Sequence, residues 1–221
     1  MALPGKNALV KVTSDEVAEP ISFTDAATTD EGDNVYAITD RDKKYWDRDT
    51  AVVVKEDAST VDESDYLVQH CGGKIHFFDA PTGTITVSGA YVTVTTVAEV
   101  NDYGYTINCE IVDTSHFKDG QDPDKGYRVR TANLVDATGT LSGFYVVDNL
   151  LEDYLLDSDV VILEFDVDTE ADDYDPGQDK YGEVFACYAV LESKELAAAI
   201  EGAVGQSVSW QSDGDLLVEQ K

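Results

Sequence analysis

The sequence predicts a mostly β fold, a β-sandwich or split barrel with one flanking α-helix and acidic loop insertions. Three observations carry that prediction. Short runs of β-branched and aromatic residues, many alternating with polar ones, recur along most of the chain. Clusters of Gly, Pro and Asp separate those runs, as turns require. One segment alone has convincing helical spacing, and there is no helical repeat or solenoid period.

Taken in order, Ala8–Val12 is a short β run and Val35–Thr39 an alternating one. Ala51–Lys55 is a third. Tyr66–Gln69 and Lys74–Phe78 flank Cys71-Gly72-Gly73, which reads as a hairpin whose glycines supply positive φ at the turn. Ala80–Gly83 is a second turn, leading into one long strand over 84–94, with Gly89 marking a bulge or bend. Residues 119–126 are a loop by composition, and 133–146 read as turn and strand. The helix is Asn149–Leu156. Asp148 is placed to cap it, and Leu151, Tyr154 and Leu155 stand at i, i+3 and i+4 to share a buried face. Val160–Val167 is a strongly apolar strand, 171–182 an acidic loop, and Val184–Ser193 a further strand. Lys194–Ile200 reads as a short helix. Ser207–Trp210 and Leu216–Val218, around Ser212–Asp215, read as a closing hairpin. The whole is expected to be one domain, 1–221, with an N-terminal arm over about 1–7 and acidic loops at about 118–127 and 168–182.

Charge bounds the setting. Asp and Glu number 45 against 15 Lys and Arg, a net charge of -30 over 221 residues. Repulsion on that scale opposes a compact fold in dilute buffer. Strong salt relieves it, because the screening length falls from about 10 Å at 0.1 M to about 3 Å at 1 M. Disorder is excluded by the 43% hydrophobic and 10% aromatic content, which is enough for a core. A sequence pI near 4.1 argues against gripping nucleic acid or an anionic membrane. No signal peptide or membrane span is expected from MALPGKNALVKV or from any later stretch.

Catalytic patterns do not emerge. His70, His76 and His116 and the widely spaced Cys71, Cys109 and Cys187 form no zinc or redox spacing. The cysteines read as small buried hydrophobes with free thiols, which suits a reducing cytoplasm. There is no phosphate-binding glycine loop and no nucleophile elbow. No cofactor is expected. Asp168, Asp172, Asp173 and Asp175 are weak candidates for a hard cation, but their spacing fails the EF-hand template and a hydrated acidic surface is the better reading. More informative is the basic and aromatic segment Asp40–Arg48. Tyr45 and Trp46 within it either pack under a turn or, with Arg41 and Arg48, anchor a contact to a neighbouring copy.

Read continuously, Val35–Asp40, Lys44–Asp47, Val52–Val54, Tyr66–Val68, Gly73–Phe77 and Thr84–Tyr91 resemble the major tail tube proteins of siphovirus-like viruses of bacteria and archaea. The opening Pro4–Ala8 and, more loosely, the ending Val208–Gly214 resemble them too. The resemblance covers the first half well and the remainder in outline, through soft β patterns rather than a chemical signature. It implies a β-sandwich or barrel with a flanking helix, in copies that form stacked sixfold rings. Other tail proteins would be partners, and genome DNA would pass the channel without specific binding. Closed rings need heterologous contacts that close, and stacks need contacts that do not. Candidate contact residues are Leu3, Pro4 and Lys6 in the arm, Arg41, Tyr45, Trp46 and Arg48, and Arg128 and Arg130, the last two because positive groups are scarce. The Asp-rich, Lys-poor composition is similar to that of haloarchaeal proteins and points to a haloarchaeal virus as the source. The competing readings are a capsid decoration or surface β-sandwich protein of a halophilic virus or archaeon, and a halophile enzyme, which would need a concave site the sequence does not advertise.

Overall fold

Two antiparallel sheets share the chain, and the second is inserted between neighbouring strands of the first. The computed structural model describes residues 8–14, 19–97, 100–113, 130–144, 150–157, 159–167, 183–197 and 204–220. β1 (Ala8–Thr13) lies in the first sheet. The chain then builds the whole second sheet from β2 (Ile21–Gly32), β3 (Val35–Ile38), β4 (Val53–Glu56), β5 (Ser59–Thr60), β6 (Tyr66–Gln69), β7 (Lys74–Phe77) and β8 (Ile85–Tyr91). Their spatial order is β5-β4-β8-β2-β3-β7-β6. It returns to the first sheet as β9 (Val94–Thr96), which pairs with β1 from Lys11↔Thr96 to Thr13↔Val94. β10 (Val100–Asp113), β11 (Arg130–Phe144), α1 (Leu150–Asp157), β12 (Val160–Val167), β13 (Glu183–Ala197) and β14 (Gly205–Gln220) follow. The first sheet runs β10-β11-β14-β13-β12-β1-β9.

Apolar alternation decides which faces are covered. One face of the first sheet carries Val10, Val12, Ala137, Leu141, Val161, Leu163, Phe165, Phe185, Cys187, Val208 and Trp210, with Leu151 of α1 packed among them. Aromatic rings thicken this core. Tyr105 stacks on Phe185 with centroids 4.3 Å apart, and Phe165 stacks on Trp210 at 5.4 Å. The opposite face of β12 and β13 meets the second sheet through Ile162, Ala186 and Tyr188, together with Tyr45, Cys71 and Leu217. Every residue from Val161 to Asp166 and from Val184 to Ala189 is therefore buried, which explains why these strands read as continuous apolar runs. The second sheet encloses its own core of Phe23, Ile38, Trp46, Val54, Tyr66, Ile75, Phe77, Ile85 and Val87.

The expected mostly β architecture, two antiparallel sheets and a single helix among the described residues, is what the chain forms. The 66–77 hairpin turns on Gly72 and Gly73, at φ +125° and +61°. Four expectations are corrected. The long strand over 84–94 is two strands, because β8 ends at Tyr91 in one sheet and β9 begins at Val94 in the other. The bulge beside Gly89 belongs to its partner β2, between Phe23 and Ala26. Residues 194–197 are strand rather than helix, paired as Lys194↔Val208 to Ala197↔Gly205, because the sheet ladder overrides the helical propensity of Glu-Leu-Ala. The closing hairpin is instead one strand, β14, whose Ser212–Asp215 turn signal is a bulge between the Ala189↔Ser212 and Cys187↔Leu216 pairs. The strands β2 and β10 have no counterpart in the sequence reading. The expected arm over 1–7, the cap Asp148 and both acidic loops lie outside the described residues.

Candidate subunit contacts and the seam between the sheets

The segment that sequence reading singled out, Asp40–Arg48, lies where the two sheets meet. Bridges Tyr45↔Cys71 and Trp46↔Tyr91 tie it to the second sheet. The Trp46 backbone N–H donates to the His70 carbonyl at 3.0 Å, and the Val92 backbone N–H donates to the Tyr45 carbonyl at 2.9 Å. From the first sheet, the Tyr188 hydroxyl donates to the Trp46 carbonyl. Trp46 and Tyr45 are 0% and 2% exposed. Of the two readings open for them, the geometry is the intramolecular one, and neither presents a surface to a neighbouring copy. Phe23 tilts against Trp46 with centroids 6.0 Å apart.

The two arginines of the segment hold the same seam from its margins. Arg41 donates to the Gly72 carbonyl at 2.9 Å and pairs with Glu219 of β14. Arg48 pairs with Asp213 at 2.8 Å and sits 5.1 Å from the centre of the Tyr188 ring. The β14 bulge supplies the other half of these contacts. Besides Asp213, it brings Asp215 to accept from the His70 backbone N–H at 2.8 Å. Gly214 takes φ +97° at the bulge, the left-handed region that glycine enters without strain.

Sequence reading missed the centre of the seam. Glu164, on the apolar strand β12, is 3% exposed. It accepts from Lys11 at 2.6 Å, pairs with Lys44 at 3.1 Å, and accepts from the Tyr45 hydroxyl. Lys11 also lies 3.8 Å from Asp166. Burial alone would raise the Glu164 pKa, but the Lys11 and Tyr45 hydrogen bonds and the Lys44 charge outweigh it, leaving the carboxyl below its ordinary range. Burial and then the adjacent Glu164 push the Tyr45 hydroxyl far upward, so it remains a donor. The signal that could have found Glu164 was positional: a lone acid within Val160-Val161-Ile162-Leu163-Glu164-Phe165 is a charge the fold must bury with partners.

The remaining candidates are placed as follows. Arg130 opens β11 in register with Asp113. Leu3, Pro4, Lys6 and Arg128 lie outside the described residues, as do Asp168, Asp172, Asp173 and Asp175. Among the described residues no group of three His, Cys, Asp or Glu could hold a metal ion. Cys71 and Cys187 are buried free thiols, and burial pushes the Cys187 thiol up to about 12. Cys109 is exposed, against the expectation of burial, because it lies on β10 beyond the core. A cleft beside the seam is lined by Asp47, Arg48, Asp49, Tyr188 and Asp213. It is open, and its cation is already engaged by Asp213, so it offers neither an anion site nor a nucleophile with a base. No described helix is long and apolar enough to cross a membrane.

What the described residues leave uncovered is sheet edge. β10, fourteen residues long, pairs with β11 on one side and with no described strand on the other. No family model matches the sequence, and no curated protein does. Among solved structures, the chain is similar to one in the virion of a native gene transfer agent particle, at a TM-score of 0.43 and 15% identity, covering 57% of this chain and 88% of that one. It is similar also to one in the tail of an empty gene transfer agent particle with C6 symmetry, at a TM-score of 0.44 and 15% identity, covering 57% and 87%.

Proposed function

We propose that this chain is a structural virion protein, a tail tube subunit that assembles with copies of itself into stacked rings around a channel for genome DNA. The observation that carries the reading is the edge of β10, unpaired among the described residues, at the end of a seven-stranded sheet. Such an edge is a template for pairing with another chain, and around a ring each copy would complete the next. A second support is that residues 21–91 form one sheet, and that stretch contains Val35–Tyr91, which carry the resemblance to tail tube proteins. That resemblance also implies the sixfold order. In this reading the site of action is the virion, after synthesis in the host cytoplasm. The acidic excess keeps DNA from adhering as it passes, and solvates the outer wall in the brine of a haloarchaeal host.

Negative-stain microscopy of the purified protein in molar salt tests this. Rings about one subunit thick, or tubes, are the expected result. A protein that remains monomeric at high concentration overturns the reading. Compact trimers without a lumen would favour a capsid decoration protein instead.

A further inference from the structure

Asp213 and Gly214 form the one Asp-Gly step among the described residues; the other in the sequence, Asp119–Gly120, lies outside them. They stand where β14 has parted from both its neighbours. The ladder to β11 ends at Gln211, and the ladder to β13 is interrupted between Ser212 and Leu216. Residues 213–215 therefore lack the cross-strand pairing that holds a backbone extended, and local opening costs least in such a place. Gly214 takes φ +97°, and a glycine presents its amide nitrogen with no side chain to shield it.

Such a step holds the parts of a spontaneous condensation. The Gly214 nitrogen attacks the carbon of the protonated Asp213 carboxyl and a C–N bond forms. The carboxyl OH departs with the amide hydrogen as water, and a five-membered imide remains. Water then adds to one of the two imide carbonyls. Opening at the former side-chain carbonyl restores aspartate. Opening at the main-chain carbonyl leaves isoaspartate, with the chain running through the former side chain and a new α-carboxylate beside it. No oxidant, reductant or other reactant enters. The Asp213 side chain is 49% exposed, so solvent supplies the proton and the water.

One guanidinium lies across both reacting residues. Arg48 Nη1 donates to the Asp213 carboxylate at 2.8 Å and to the Asp213 main-chain carbonyl at 2.9 Å. The same guanidinium lies 3.5–3.7 Å from the point where a side chain on Gly214 would begin. Attack must lift the carboxyl off this donor, and ring closure must turn the peptide whose carbonyl it also holds. We propose that Asp213–Gly214 is a site of imide formation and isomerisation to isoaspartate, and that Arg48 restrains it. The reaction bears on the seam between the sheets. Isoaspartate adds one main-chain carbon between Asp213 and Gly214. That displaces Asp215 from the His70 backbone N–H, and Leu216 from the Gln69 side-chain amide that donates to its carbonyl at 2.9 Å. None of this depends on the tail tube reading.

Wild type, Arg48→Ala and Arg48→Lys are aged in molar salt at mildly acidic pH, below their melting temperatures. Isoaspartate is labelled with an isoaspartyl methyltransferase, which esterifies its α-carboxylate, and is located by mass spectrometry of the digest. Asp119–Gly120 in the same digest is the reference. Isoaspartate at Asp213 should accumulate up to roughly fivefold faster in Arg48→Ala than in wild type, the most that releasing an exposed ion pair allows. Asp119 should be unchanged, and Arg48→Lys should stay close to wild type. Asp213→Glu, whose longer side chain would have to close a six-membered imide, should abolish the signal at 213 and leave that at 119 as it was. In aged wild type the His70 amide should lose protection from hydrogen exchange. No isoaspartate at Asp213 in wild type, Arg48→Ala or Arg48→Lys overturns the proposal. Equal rates in wild type and Arg48→Ala, or a proportional rise at Asp119, overturn the restraint assigned to Arg48.

Discussion

One carboxylate holds the seam at its centre. Glu164 is buried with two lysines and a phenol, and removing its charge deprives Lys11 and Lys44 of their shared carboxylate and the Tyr45 hydroxyl of a charged acceptor. Glu164→Gln should cost about 3 kcal/mol at pH 7. The sign of its pH dependence follows from the depressed pKa. Stability from this group is present above the unfolded carboxylate value and is lost as pH falls through the lower folded value. Thermal melts of wild type and Glu164→Gln should therefore converge below about pH 4; a constant gap down to pH 3 would show that Glu164 is not the titrating group. Trp46 and Arg48 lie two residues apart in sequence and are expected to differ in weight. Trp46→Ala empties a site that is 0% exposed and should cost about 3–5 kcal/mol. Arg48→Ala breaks an ion pair whose partners are 40% and 49% exposed and should cost no more than about 1 kcal/mol. Denaturant midpoints for the two variants give the comparison, and equal losses would contradict the burial argument.

Elements were legible where their burial matched their pattern. β12 was read from Val160 to Val167 because both its faces are covered and nearly every residue is apolar. β2 escaped because it buries little: Phe23 is its one buried residue, in a strand otherwise full of Thr, Asp and Ser. β10 escaped because its far end leaves the core, so its apolar positions are diluted by Asn, Asp and Glu. β14 was split in two because Ser-Asp-Gly-Asp is equally a turn and a bulge, and only the paired strand decides. The site was legible in part. Aromatic and basic residues made Asp40–Arg48 conspicuous, but whether they face a neighbour or the chain's own sheet depends on contacts between residues more than a hundred positions apart. Glu164 was hidden by the abundance of other acids. One element-level detail carries a prediction. Gly139 of β11 lies between Tyr105 and Trp210 in register. A Cβ there would meet the Gly104 carbonyl and, at 2.7 Å, the Trp210 ring. Backbone and a buried indole cannot move aside cheaply, so Gly139→Ala should cost about 1–3 kcal/mol, read as a lowered denaturant midpoint. An unchanged midpoint would mean that β11 and Trp210 can separate without loss.

For the whole molecule, salt acts on two opposed sets of charges. Exposed ion pairs such as Arg48–Asp213 and Lys55–Asp25 weaken as salt rises. The Glu164 cluster is shielded from ions by burial and should hardly respond. Against these stands the repulsion among acidic groups that outnumber basic ones 45 to 15. At 0.01 M salt the screening length is about 30 Å, so carboxylates across the molecule repel one another; at 1 M it is about 3 Å and only near neighbours do. Repulsion is the larger effect, and stability should rise with salt. Its form separates the cause from general salting-out. Screening changes most at low concentration and flattens toward molar, whereas kosmotropic anions continue to favour burial. Melting temperature in sodium chloride should climb steeply up to a few tenths molar and then level, with sulfate continuing upward. The ring or stack formation proposed above should follow the same curve, since copies this acidic must be screened before they can meet. Melting and assembly unchanged down to low millimolar salt would remove the case for a protein adapted to brine.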